Sequence, residues 1–311
     1  MTKRAATIAL MGGICALALG AAATPARAAG NIAYLSHAGS GNTCTLAAPC
    51  ADMVSALAAA GANGEVICLD KGAYLGAAIS QPVTISCGDG LWESAAHLLR
   101  INTPAGSDVV IEGLVMDLVF VIEVGGDATG IAVTGQGALH LRRVRVGNTT
   151  GNGNHGLLFA PTGPATLHIS DSVFYNNAGS GIYIKPSSGV LADVYINRTQ
   201  IEKNGFGITA DGSGGGLIGG VVRDSVVSGN PNNGITTYST GTSITLVVQN
   251  STIAGNGYGL AAAGPQGAMF VTRSAINYNG AGVFGPIYSY GDNSLLANGA
   301  DGTFTATVGL R

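Results

Sequence analysis

Asp171–Ile184 reads DSVFYNNAGSGIYI, and the phrase returns as NRTQIEKNGFGI (Asn197–Ile208), DSVVSGNPNNGI (Asp224–Ile235), NSTIAGNGYGL (Asn250–Leu260) and RSAINYNGAGV (Arg273–Val283). Each copy carries an asparagine, then a glycine followed by an aliphatic residue. These asparagines, Asn177, Asn204, Asn230, Asn256 and Asn279, are spaced by 27, 26, 26 and 23 residues. A period in that range marks one structural unit stacked on its own copies.

Counting back from each asparagine sorts the neighbours. Positions ten and eight earlier are aliphatic or small: Leu167 and Ile169, Val194 and Ile196, Gly220 and Val222, Leu246 and Val248, Met269 and Val271. The position three earlier is Phe174, Ile201, Val227, Ile253 or Ile276, and the position five earlier is always a hydroxyl: Ser172, Thr199, Ser225, Ser251 or Ser274. Period-two patterning in short runs split by turns means strands with one buried face, and the glycines exclude helices. Three short strands per unit are satisfied by a parallel β-helix, in which every strand pairs with its copy about 4.8 Å away and like side chains form ladders. Asn177, Asn204, Asn230, Asn256 and Asn279 are then an internal amide ladder, because a side-chain amide both donates and accepts along the axis. The glycine after each is expected to supply the positive φ of a sharp corner.

The chain has 311 residues, and Gly 50 with Pro 10 make about 19% of it, whereas charged residues are 10%. A solenoid grows by repetition, so one elongated, all-β domain and a monomer are expected. Residues 1–28 have the layout of a secretory signal peptide: Lys3 and Arg4, an apolar run from Ala5 to Ala23, and small residues around Ala26-Arg27-Ala28. Removing Lys3, Arg4 and Arg27 takes the 14 basic residues to 11 against 17 acidic ones, a net of about −6. That balance argues against nucleic acid as a partner, and no later stretch is long and apolar enough to span a membrane. Export to the periplasm or beyond the cell is the expected location.

Four cysteines remain, and an even number in an exported chain favours disulfides. Cys44 and Cys50 flank the turn-like TLAAP and are expected to pair. Cys68 and Cys87 lie in EVICLD and VTISCGD, 19 residues apart, on neighbouring rungs. A bridge and two stacked buried thiols look alike there. Residues 29–64 are assigned to a lead-in loop and a capping helix, with Asp52 at its start, Met53, Leu57 and Ala60 on one face and Gly61 at its stop. Residues 65–311 are assigned to the coils.

The alanine-rich helix, then ANGEVICLDKGAYLGAAI and PVTISC, then DSVFYNNAGSGIYI and DSVVSGNPNNGI, together resemble the right-handed parallel β-helix proteins of the pectin-lyase-like superfamily. The likeness covers nearly the whole mature chain and is closest to small exported bacterial members of unassigned activity. It implies the fold. Function must be argued from the site.

Two outward surfaces emerge from the register. After the glycine, Tyr183 and Lys185, Thr209 and Asp211, and Thr236 and Tyr238 form a polar patch with two aromatic faces suited to a sugar. The plainer alternative is an exposed Lys185–Asp211 pair on a solvated sheet. The second surface is a stripe of His140, His168, Tyr195 and Val221 beside Arg142, Ser170, Asn197, Arg223 and Gln249. Two histidines without a third ligand make a poor metal site, so neither a metal nor another cofactor is expected. The arginines could hold carboxylates of an acidic glycan.

What the resemblance implies for chemistry is only partly matched. Hydrolases of this fold use clustered aspartates, whereas Asp171, Asp193, Asp211 and Asp224 are dispersed. Asn154-His155-Gly156 and Tyr183-Ile184-Lys185 echo the hydrolase elements faintly, and the arginine of the second is missing. Lyases use a base with a cation or arginine on the uronate. The expected function is therefore non-catalytic or carbohydrate-binding, at the cell envelope or outside it, through Tyr183, Lys185, Thr209, Asp211, Thr236 and Tyr238. The alternative is a lyase or glycoside hydrolase acting on an acidic polysaccharide through His140, Arg142 and His168 or through Lys185 and Asp211.

Overall fold

The computed structural model describes residues 30–72, 74, 76–88, 99–118, 129–151 and 153–309. The proposed signal peptide, 1–28, lies outside the described residues. Among these residues all strand pairing between coils is parallel, in three sheets of twelve, nine and eight strands. From Asp108 to Phe284 each coil contributes one strand to each sheet in turn. One such coil comprises Ala165–Ser170, Val173–Tyr175 and Ser180–Ile184, in the twelve-, eight- and nine-stranded sheets respectively. The chain is thus a single parallel β-helix, as the repeat requires.

The side chains assigned inward are inward. Leu167, Ile169, Phe174, Val194, Ile196, Ile201, Val227 and Ile253 are all buried in one continuous core. No helix of the described residues is long and apolar enough to cross a membrane. The helix Met53–Ala60 starts at Asp52, whose carboxylate accepts from the Ser55 amide at 2.8 Å, and stops at Gly61, φ 66°. It buries Met53, Ala56, Leu57 and Ala60 and packs against Ile32–Leu35 and Gly64–Cys68, covering the first coil. Strand edges and apolar core would otherwise meet water there. Cys44 is bonded to Cys50, and Cys68 to Cys87. The second bridge joins residues in direct register on adjacent coils, which resolves the ambiguity left by their spacing.

The amide ladder is built from repeated bonds. The backbone N–H and Nδ2 of Asn204 both donate to Asn230 Oδ1, at 2.9 and 3.2 Å, and Nδ2 also donates to the Phe174 carbonyl at 3.1 Å. Asn177, Asn230, Asn256 and Asn279 repeat the pattern. The amides therefore point one way along the axis with their hydrogen-bonding capacity filled. The series continues to Asn298, which donates its N–H and Nδ2 to Asp301 Oδ1 at 3.1 and 2.8 Å.

The expected role of the glycine is corrected. Positive φ falls on the residue before each asparagine, at Asn176 (50°), Lys203 (56°), Gly229 (65°), Gly255 (67°) and Tyr278 (55°). The following glycine instead makes room: a Cβ on Gly181 would come within 2.8 Å of Asn204 Nδ2, and one on Gly259 within 2.8 Å of Asn279 Nδ2. A left-handed non-glycine residue costs roughly 1–2 kcal/mol, which the buried amide bonds at the corner offset. The other tight corner works alike. Asp171, Arg198, Asp224, Asn250 and Arg273 are left-handed, and the hydroxyl that follows each donates to the carbonyl two residues back, as Ser225 Oγ does to Arg223 O at 2.7 Å.

Candidate functional site

The outer face of the twelve-stranded sheet carries the histidine stripe in strict register. His140, His168, Tyr195 and Val221 are successive partners, as are Arg142, Ser170, Asn197, Arg223 and Gln249. Both columns alternate with buried Leu141, Ile169, Ile196, Val222 and Val248, so core packing fixes which way they face.

Parallel register brings the rings into contact. His140 and His168 stack at 4.6 Å between centroids and 5° between planes, and His168 and Tyr195 stack at 5.0 Å and 11°. The three rings and the polar column line a groove of about 650 Å³, with Arg142 and Arg223 both exposed in it. Arg223 Nε donates to Asn197 Oδ1 at 3.2 Å, which orients its guanidinium. No aspartate or glutamate lines this groove among the described residues. Further along the same sheet Phe270 and Tyr288 stack at 5.1 Å in the same column, and a second groove begins at Val247 and Gln249. The sequence reading stopped at Val221 and missed these rings, although they occupy the same register.

Burial holds both imidazoles below their usual pKa. His168 and Arg142 push His140 further down, partly offset by Asp108, and Arg142 does the same to His168. At neutral pH the stack is an uncharged aromatic surface beside two fixed cations. That arrangement suits a sugar ring carrying a carboxylate: carbon faces lie on the rings while the acid meets a guanidinium.

The other patch lies on the nine-stranded sheet, where Tyr183, Thr209, Thr236 and Ala261 are successive partners and Asp211 pairs with Tyr238. Asp211 is only 7% exposed, unlike the outward residue expected at that position. Its carboxylate accepts from Tyr183 Oη at 2.6 Å, from the Ser213 N–H at 2.8 Å and from Lys185 Nζ at 3.0 Å. Burial pushes its pKa up, but bonds from Ser213, Tyr183 and Lys185 outweigh it and hold the group below the usual value. Burial and the bond to Asp211 raise Tyr183, and the same carboxylate raises Lys185. Thr209 Oγ1 is shared with Ser180 Oγ at 3.0 Å, and Thr236 Oγ1 accepts from Asn233 at 2.8 Å. Tyr238 remains 44% exposed. His155 stacks on Tyr183 at 4.4 Å and accepts from the Ser180 N–H at 2.9 Å. The sequence had linked His155 to the patch by no argument, because it precedes the strand Leu157–Phe159 and meets Tyr183 out of register, Tyr183 being the strand partner of Leu158.

The dispersed aspartates stay dispersed. Asp171 is held by Arg198 at 2.7 and 2.8 Å, and Asp224 accepts from Asn250 at 2.6 Å. No group of three or more His, Cys, Asp or Glu suited to a metal occurs among the described residues.

A family model described as right-handed beta helix region matches residues 129–300, more than half of the chain. Among solved structures the chain is similar to pectate lyase Pel9A, with TM-score 0.52 and 18% identity over 85% of this chain and 72% of that one. It is also similar to the A-module of mannuronan C-5 epimerase AlgE6 of Azotobacter vinelandii, with TM-score 0.56 and 17% identity over 86% and 75%. At such identities the likeness is one of fold. No curated protein sequence matches the chain.

Proposed function

The chain belongs to the right-handed β-helix family, and on that premise we propose that the groove over its twelve-stranded sheet binds an acidic polysaccharide. One observation carries the reading: the His140–His168–Tyr195 ring stack and the guanidinium groups of Arg142 and Arg223 share a single groove. Aromatic faces supply area at low entropic cost, and arginine recognises carboxylates through a planar fork. Both similar structures are named for acidic polysaccharides, pectate and mannuronan, which supports the ligand class. Two disulfides are compatible with work outside the reducing cytoplasm, where such polymers are met.

The groove is preferred to the Tyr183 patch because the patch is occupied with itself. Tyr183 Oη, Lys185 Nζ, Thr209 Oγ1 and Thr236 Oγ1 already have protein partners, so part of the patch's polar capacity is spent within it.

A second reading, cleavage of the bound polymer by elimination, is supported by the depressed pKa values of His140 and His168 beside Arg142. A neutral imidazole can accept the proton next to a carboxylate that arginine has neutralised. Hydrolysis is disfavoured, because two carboxyl groups must flank the bond and none lines the groove among the described residues.

The test is calorimetric titration with pectate and with mannuronan. Binding to the wild type that is lost in Arg142→Ala/Arg223→Ala supports the groove, and equal binding by both proteins refutes it. Ultraviolet absorbance from unsaturated ends in the same mixtures would select the elimination reading.

A further inference from the structure

We propose, resting on the reading of the groove above, that it selects an acidic polymer that turns a carboxylate toward the protein once in about every three sugars. The polar column runs Glu112, Arg142, Ser170, Asn197, Arg223 and Gln249 on successive coils. It is cationic at Arg142 and Arg223 alone, and these stand three coils apart, roughly 14 Å at the spacing of paired strands. A coil advances by a distance comparable with one extended sugar, so a chain lying along the axis moves nearly in step with the coils.

The two coils between the arginines offer a hydroxyl and an amide. Ser170 and Asn197 can hydrogen-bond sugar hydroxyls, but they cannot neutralise a carboxylate that leaves water. Beyond Arg142 the next coil presents Glu112, paired with Arg143 at 2.5 Å and outside the groove lining, so the column offers no further cation there. The pattern is therefore cation, two neutral coils, cation. Two polymers present matching charge: a heteropolymer with one acidic sugar in three, or a fully acidic chain whose three-fold twist turns every third carboxylate inward.

The experiment is calorimetric titration of the wild-type chain with galacturonate and mannuronate oligomers of two to six sugars, each fully acidic or partly methyl-esterified. A fourth sugar is the first that lets one oligomer touch both arginines, and the second contact is then intramolecular. The expected result is a step of about tenfold in affinity between three and four sugars. The step should disappear in Arg223→Ala and partly return in Arg223→Lys. With the step present, tighter binding of the esterified oligomers supports the heteropolymer form, and tighter binding of the fully acidic ones supports the twisted form. A smooth rise with length overturns the proposal and leaves the groove standing. Absence of binding by every oligomer and by both polymers overturns the groove and the proposal together.

Discussion

His140 and His168 lie face to face, 4.6 Å apart and within 5° of parallel, on adjacent strands of the twelve-stranded sheet. Two imidazoles so placed cannot both take a proton cheaply, and Arg142 adds a third cation to the neighbourhood. The contact follows from the fold, since a parallel β-helix superposes whatever the repeat places at one register position.

A pH dependence of stability results. Both groups have folded pKa values lowered below 6.5, through burial first and neighbouring cations second. As pH falls through about 6.5 the unfolded chain takes up protons that the folded chain still refuses, so stability is lost on the acid side. Above that pH these groups contribute no slope. Urea midpoints at pH 7.5 and 5.0 should fall further for the wild type than for His140→Phe/His168→Phe, which keeps the rings and removes the titration. An equal fall in both would contradict the assignment.

The same groups link protons to ligand. A polyanion in the groove favours imidazolium, so affinity for pectate should rise from pH 7.5 to 5.5 in the wild type. In the double phenylalanine variant it should stay flat. A decline in the wild type would show that the stack does not face the acid.

The amide ladder should dominate local stability. Asn230 is fully buried, donates to Asn256 and to the Ile201 carbonyl, and accepts two bonds from Asn204. Asn230→Ala leaves several buried groups without partners and should cost about 3–5 kcal/mol. Exposed Asn232, two residues on, should cost under about 0.5 kcal/mol as Asn232→Ala. Comparable losses in chemical denaturation would refute the ladder.

Thr237 points the other way energetically. Its hydroxyl is buried and has no hydrogen-bond partner among the described residues. Thr237→Val keeps the shape and removes the unsatisfied group, so a gain of about 1 kcal/mol is expected in the same assay. A loss would mean that the hydroxyl has a partner in solution.

Asp211 separates the two surfaces. Asp211→Asn weakens its contacts with Tyr183 and Lys185 and should destabilise by about 1–2 kcal/mol, discounted because Lys185 is partly exposed. Retention on immobilised pectate should not change in this variant or in Tyr183→Ala/Tyr238→Ala. Retention lost in the tyrosine pair would move the site to the nine-stranded sheet.

Much of the architecture was legible because the repeat is a ruler. Asn177 to Asn279 fixed the register, and the register placed His140 above His168 and Arg142 beside Ser170 without coordinates. The ladder's last member was missed because the final coil is shorter: Asn298 follows Asn279 by 19 residues. The glycine after each asparagine was misread because its reason lies in the neighbouring coil, where a Cβ would strike the next amide. Asp211 shows the same limit. Alternation assigns it outward and beside Lys185, and that pair forms at 3.0 Å, but the Tyr183 hydroxyl and Ser213 N–H that help bury it were not foreseen. Sequence patterns report which face a residue takes, and much less about what covers it.

The most direct measurement is protection of individual histidines from diethyl pyrocarbonate, mapped by mass spectrometry with and without bound pectate or mannuronan. The groove account predicts that His140 and His168 become protected while His155, beside Tyr183, and His37, near the capped end, react as before. Protection centred on His155, or unchanged reactivity of His140 and His168 when polymer is bound, would contradict it.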